Sequence, residues 1–270
     1  MHVLASIGRL QIAALVLMSL LAPLSATAET ITLGGVGSMT PIVKLLGSEY
    51  AKKNSGIEVY VIDPPMGSSG GLRALAAGKI DIALSARTSK ADEAGQAKPW
   101  LQTPLVLATS SKSKGLTRAQ VAEIYGGRKT TWDDNKPIRL ILRGEQETET
   151  KVLRSLSPEV DAAVADALKR TGLPIAENDL DAVEALTRIS GSLGTTNLGL
   201  VKVSGARLTV LALDGVQPSI KTVEDGSYRL IRQFYLVTTN PSPSAAAFVA
   251  WLNSPAALSL ARQQEYLPLK

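Results

Sequence analysis

Apolar and polar positions along this chain follow two periods, one suited to strands and one to helices. Ile31-Thr32-Leu33 reads as a short strand. Ile42, Val43, Leu45, Leu46, Tyr50 and Ala51 then recur at helical spacing through Lys53. Asn54-Ser55-Gly56 stops that helix, and Ile57-Glu58-Val59-Tyr60-Val61 is a second strand. Gly71 to Ala77 carries a helical pattern with Gly78 as its stop, and Ile80 to Leu84 is the next strand. This repeated strand–loop–helix order predicts a parallel α/β sheet. Ligands of such sheets lie beyond the C-terminal strand ends.

The alternation continues downstream. Leu105 to Thr109 is a strand read as crossing into a second lobe, and Thr117 caps a helix through Tyr125. Ile138 to Leu142 is a strand that delivers Arg143. Helical patterns cover Thr150 to Leu156, Pro158 to Arg170 and Leu180 to Ile189, the last ending in the glycine-rich Ser190 to Gly194. Val210 to Leu213 is a strand, and Tyr228 to Val237 is an extended run expected to return the chain to the first lobe. Helices from Pro243 or Ser244 through Asn253 and from Pro255 to Gln264 close the chain.

The first 28 residues are read as a cleaved signal peptide. Arg9 supplies a positive start, Ile12 to Leu24 an apolar stretch, and Ala26-Thr27-Ala28 the small residues before a cut that leaves Glu29 first. The stretch is shorter than the roughly 20 residues a transmembrane helix needs. An uncleaved anchor is the alternative. The mature chain is therefore expected to be soluble and periplasmic. Of 270 residues, 28 are removed, and what is left suits one large domain or two lobes.

Composition narrows the chemistry. There is no cysteine, which excludes disulfides, thiol nucleophiles and thiolate metal sites. The single histidine is His2, inside the predicted signal peptide, so the mature chain has no Ser-His-Asp triad and no imidazole base or ligand. The net charge of +5 is mild and the basic residues form no run, so no nucleic-acid partner is expected. Trp100, Trp132 and Trp251 read as packing residues rather than a stacking platform.

Two Gly/Ser segments carry the candidate chemistry: Gly34-Gly35-Val36-Gly37-Ser38-Met39-Thr40-Pro41 and Gly67-Ser68-Ser69-Gly70-Gly71-Leu72. Each runs into a helix, whose first backbone N–H groups are unpaired and lie at the positive end of the helix dipole. Glycine lets the backbone approach a ligand, and hydroxyls add donors. Together the two loops point to an oxyanion receptor.

These segments, with Asp81 to Arg87, Leu116 to Gly127, Thr131-Trp132, and Gly215 to Ser219 through Tyr228 to Arg232, resemble the phosphate-binding periplasmic receptors of ABC importers. The resemblance implies a two-lobed α/β periplasmic-binding-protein-like fold of type II, with a hinge and an interlobe cleft. Residues 29–107 and 229–270 would form one lobe and 108–228 the other. It implies a dehydrated tetrahedral oxyanion in the cleft. Ser38, Met39 and Thr40 would offer backbone N–H groups and hydroxyls at the first helix start, and Ser68 and Ser69 at the second. Arg87 stands where members carry arginine or aspartate. An aspartate there accepts a proton from hydrogen phosphate and selects against sulfate, whereas Arg87 would be a cationic donor. Arg143 falls where the second lobe supplies an anion-binding arginine, whose fork suits a bidentate contact.

The chain departs from this pattern after Arg143, where Ser-Gly-Thr is usual and Gly144-Glu145-Gln146-Glu147-Thr148-Glu149-Thr150 stands. Thr148 and Thr150 would replace the hydroxyls, while Glu149 stands where glycine is expected. Two readings remain open: acids that favour the first turn of a helix, or a changed or weakened ligand site. The expectation is a non-enzymatic receptor without cofactor or metal, handing phosphate or a related oxyanion to a membrane ABC permease. The alternative is a sensor or adaptor of the same fold, signalling to a membrane partner. An exported phosphatase working through carboxylates is a third class, to which nothing in the sequence points.

Overall fold

The computed structural model describes residues 28–93 and 95–269, so the predicted signal peptide lies outside them up to residue 27. β1 (Glu29–Gly35) passes through a 3-10 turn (Gly37–Met39) into α1 (Thr40–Lys53). β2 (Ile57–Val61), α2 (Gly67–Ala76) and β3 (Ile82–Ser85) follow. β1 lies between β2 and β3, parallel to both, as the alternation predicts. α2 starts at Gly67, four residues before the expected Gly71, so the second Gly/Ser segment is itself the first turn of the helix.

β4 (Gln96–Thr109) is far longer than the expected Leu105 to Thr109. Its first part mixes polar residues and Pro99 with only partial burial, which hides the strand period. Then come β5 (Gly115–Leu116), α3 (Arg118–Tyr125), β6 (Arg139–Arg143), α4 (Thr148–Arg154) and α5 (Pro158–Lys169). They lead to β7 (Ile175–Ala176), α6 (Asp179–Arg188), β8 (Ser192–Asn197) and α7 (Leu198–Ser204). β9 (Thr209–Val210), β10 (Ala212–Leu213) and α8 (Ile220–Glu224) precede β11 (Ile231–Thr238). The chain closes with α9 (Pro243–Leu252), α10 (Pro255–Gln263) and β12 (Leu267–Pro268).

Further differences from the sequence pattern fall in the second half of the chain, where it predicts neither α7 nor α8. β8 is buried at every position, and a fully buried strand shows no alternation to read. The single strand expected over Val210 to Leu213 is two short pieces, because β9 pairs with β4 while β10 turns away to β5.

Among the described residues the main sheet runs β2-β1-β3-β11-β4-β8-β6-β7, with β9 and β12 also on β4. The two largest of four hydrophobic cores among the described residues pack on it. One gathers Leu33, Ile42, Leu46, Trp100, Leu101, Phe234 and Phe248. The other gathers Leu107, Tyr125, Trp132, Leu140, Val160 and Leu230. β4 leaves the first core after Leu101 and enters the second at Leu105, and the chain returns between Leu230 and Phe234. The molecule is thus a two-lobed α/β fold whose lobes share two crossing segments. Trp100 and Trp132 are buried and Trp251 packs against the first core, so all three tryptophans are packing residues.

The two Gly/Ser segments interlock. A Cβ at Gly71 would lie 2.9 Å from the Gly34 carbonyl oxygen and 2.9 Å from Gly35 Cα. Gly35 itself has φ +145° and abuts the Leu84 backbone. These glycines bring the start of α2 against the end of β1.

Candidate functional site

Where the lobes meet, a cleft of about 460 Å3 opens. One wall is Val36, Gly37, Pro65, Met66 and the first turn of α2 with Arg73 and Arg87. The other is Arg143, Gln146 to Thr148 and Glu177 to Asp179, with Arg232 from β11. A separate depression of about 290 Å3 between α3 and β6 is lined largely by apolar side chains and gathers no comparable set of charges.

Helix ends aim donors at the cleft. α3, α5, α6, α7, α8, α9 and α10 each begin with a Ser, Thr or Asn side chain that caps a backbone N–H. Among the described helices, those starting at Thr40, Gly67 and Thr148 have no such side-chain cap. Those at Gly67 and Thr148 begin at the cleft walls, so their first-turn N–H groups are left for another acceptor.

The predicted residues divide. Ser68, Ser69, Arg87, Arg143 and Thr148 line the cleft. Ser38, Met39 and Thr40 are buried and do not. The Met39 and Thr40 N–H groups close the 3-10 turn on Val36 and Gly37 carbonyls, and the Met39 side chain belongs to the first core. Thr150 is also buried, and its hydroxyl donates to the Arg143 carbonyl at 3.1 Å, which fixes the loop rather than a ligand. Ser68 Oγ accepts from the Ala86 N–H at 2.9 Å, tying α2 to the end of β3.

Arg87 is already engaged. Its Nη1 and Nη2 donate to Glu93 at 2.7 and 2.5 Å, and Nη2 also donates to Ser69 Oγ at 3.1 Å. Hydrogen bonds from Arg87 and the Lys90 N–H hold the Glu93 carboxyl down at about 2. Arg143 donates Nη1 to the Ala176 carbonyl at 2.7 Å and Nη2 to Glu147 at 3.3 Å, while its buried Nε has no partner.

Behind Arg143 lies a buried charge cluster that only partly surfaced in the sequence. Arg232 Nη2 approaches Glu149 Oε1 at 3.0 Å, misaligned for a hydrogen bond, and its Nε and Nη1 have no partner. Asp179 Oδ2 accepts from the Ser38 backbone N–H at 3.1 Å, and Oδ1 lies 3.8 Å from Arg143 Nη2. Burial first, and the Asp179 charge second, push the Glu149 carboxyl up to about 8. Burial also opposes ionisation of Asp179, yet Glu149, Arg232, Arg143 and the Ser38 N–H together hold it below the ordinary carboxylate range. At neutral pH Glu149 therefore keeps its proton, which gives its otherwise unpartnered carboxyl a donor toward Asp179, and Asp179 is the anion.

Sequence reasoning missed Arg232 and Asp179. A signal for the first existed: Leu230, Arg232, Phe234 and Leu236 occupy one buried face of an alternating run, a place where an unpaired arginine is costly. Asp179 has no such mark, because an acid in a first helical turn is ordinary.

The sequence model of the PBP superfamily domain matches residues 22–256. Protein SphX of Synechococcus elongatus is 25% identical over 91% of this chain and 79% of its own. The phosphate-binding protein PstS of Borreliella burgdorferi is 22% identical over 90% of this chain and 91% of its own. A substrate-binding protein from Clostridium perfringens solved with bound phosphate superposes with a TM-score of 0.73 at 18% identity, covering 90% of this chain and 100% of that one. An ABC-type phosphate transport receptor from Vibrio cholerae gives a TM-score of 0.61 at 20% identity, covering 88% and 99%. The match along most of its length and the two-lobed architecture agree, and the chain belongs to the PBP superfamily domain family.

Proposed function

We propose that this chain is an exported solute-binding receptor that holds an oxyanion, phosphate first among them, in the interlobe cleft and delivers it to a membrane ABC importer. The observation that carries the reading is the convergence on one cleft of the uncapped starts of α2 and α4 and two buried arginines with unpartnered nitrogens. Desolvated, preorganised donors of this kind favour a dehydrated anion. The relatives named as phosphate-binding proteins support phosphate as that anion. We assign the lobes to residues 29–107 with 229–270 and to 108–228, with closure following tighter ligand binding in the closed form. Export through the N-terminal 28 residues would place the receptor in the periplasm.

Calorimetric titration of ligand-stripped mature protein with phosphate, using sulfate and molybdate as controls, tests this. Micromolar or tighter phosphate binding that is weakened roughly ten- to a hundredfold in Arg143→Ala is expected. Absence of binding by any oxyanion would refute it. One observation favours a second reading, a sensor or adaptor with little phosphate affinity: a carboxylate of the protein already takes the Ser38 N–H.

A further inference from the structure

We propose that Asp179 is a resident anion of the cleft: it occupies the donor site at the start of α1, confines an incoming oxyanion to the first turn of α2 and the free nitrogens of Arg143 and Arg232, and thereby sets the affinity and charge preference of the receptor. This deepens the oxyanion reading and rests on it for its binding arm only.

Three observations carry it. First, Asp179 sits where a ligand oxygen would, because its Oδ2 takes the Ser38 N–H at 3.1 Å while Met39 and Thr40 N–H groups are consumed inside the turn. No backbone N–H from Ser38 to Thr40 is then left for a second anion, and the Ser38 hydroxyl is buried without a partner. Second, the carboxylate is 4 % exposed and lies on the cleft wall beside Arg143, so its charge is felt with little screening by water. Third, the arginines are not saturated by the acids: Arg143 Nε and Arg232 Nε and Nη1 are buried without partners. Arg143 and Arg232 face the ionised Asp179 and the half-exposed Glu147 that pairs with Arg143, so their free nitrogens leave room for an anion of modest charge, and a cleft lacking Asp179 would carry one positive charge more.

The cleft donors are thereby divided. Asp179 neutralises α1, whereas α2, uncapped and with Gly67 to Gly70 on the cleft wall, keeps its N–H groups for the ligand. The contact also spans the lobes, since Ser38 precedes α1 in one and Asp179 opens α6 in the other. Any anion drawn in must bind beside a fixed negative charge, which penalises a fully ionised dianion more than a singly charged or protonated one.

The test compares the mature protein with Asp179→Ala and Asp179→Asn. Calorimetry with phosphate and sulfate is expected to give at least tenfold lower Kd in both variants, with the larger gain for sulfate. Amide hydrogen exchange at Ser38, measured without any added anion, is expected to be at least tenfold faster in Asp179→Ala and close to the parent in Asp179→Asn, whose side-chain oxygen still accepts the bond. The near-isosteric Asn variant keeps the binding arm interpretable if the Ala variant fails to fold. Weaker phosphate binding in Asp179→Asn would overturn the proposal, because it would make the carboxylate a ligand contact. Unchanged Ser38 exchange in Asp179→Ala would also overturn it. Faster Ser38 exchange with no oxyanion bound by any of the three proteins would refute the receptor reading while supporting Asp179 as the occupant of the α1 site.

Discussion

Arg232 Nη2 lies 3.0 Å from Glu149 Oε1, with both side chains at most 2 % exposed. The pair joins α4 to the strand that returns the chain to the first lobe. Removing Arg232 takes away one of the cations that hold the buried Asp179 ionised, and loss of a buried ionic partner costs about 3–5 kcal/mol. Arg232→Ala is therefore expected to lose stability in that range in urea unfolding. Glu149→Gln is expected to lose less, because Glu149 keeps its proton at neutral pH and Gln retains a hydrogen-bonding group. Equal losses would argue that Glu149 is ionised in the folded protein.

The position of that proton predicts a pH dependence with a definite sign. The Glu149 carboxyl is raised from 4.5 to about 8 on folding, so between those values the folded state binds a proton that the unfolded state has released. Stability contributed by Glu149 is full below about pH 4.5, declines as pH rises, and is gone above about pH 8. The slope is about 1.4 kcal/mol per pH unit. Asp179, held low, acts oppositely, and its contribution is lost only as pH falls through its lowered value. The stability of the parent relative to Glu149→Gln should fall from pH 5.5 to 7.5 in urea titrations. A difference independent of pH would sink the assignment.

The first lobe was legible because β1, α1, β2 and β3 are short, clean periodic segments closed by Asn54-Ser55-Gly56 and Gly78. The Thr117 cap was legible too, and it forms a capping box with Gln120. The site was half legible. Glycine and serine mark a helix start that faces a ligand, but they do not show whether an N–H is already taken. For Ser38 it is, by an acid 141 positions away that ordinary local preference explains. Arg87 looked free for the same reason, since Glu93 lies across an irregular turn with no pattern to place it.

Arg87 is expected to matter less to the ligand than Arg143. Its guanidinium spends both terminal nitrogens on Glu93 and a third contact on the Thr88 carbonyl. Arg143, by contrast, keeps a buried nitrogen without a partner. Loss of one charge-assisted hydrogen bond is worth about 1.5–3 kcal/mol, or roughly ten- to a hundredfold in Kd. Arg143→Ala should weaken phosphate binding by about that much in calorimetry, and Arg87→Ala by less than about threefold, the range of a partly exposed ion pair. The reverse order would mean that the Arg87–Glu93 pair opens when the ligand enters.

Gly71 offers a test of how packing positions the donors. Its missing side chain lets α2 rest on Gly34 and Gly35, and an added Cβ would stand 2.9 Å from backbone atoms that cannot rotate aside. Gly71→Ala therefore forces α2 and β1 apart. Overpacking of this kind costs about 1–3 kcal/mol. A helical Ala otherwise gains about 1 kcal/mol over Gly, so the net loss of stability should be about 0–2 kcal/mol. The effect on binding should be larger than that, because the shifted element is the one whose uncapped N–H groups line the cleft. Gly78→Ala is the control: its φ of +64° makes alanine unfavourable too, but no atom lies near and the site is at the far end of the helix. Matched destabilisation with a phosphate Kd raised only in Gly71→Ala would tie the glycine contact to the site. Equal Kd values in both variants would make Gly71 a packing residue alone.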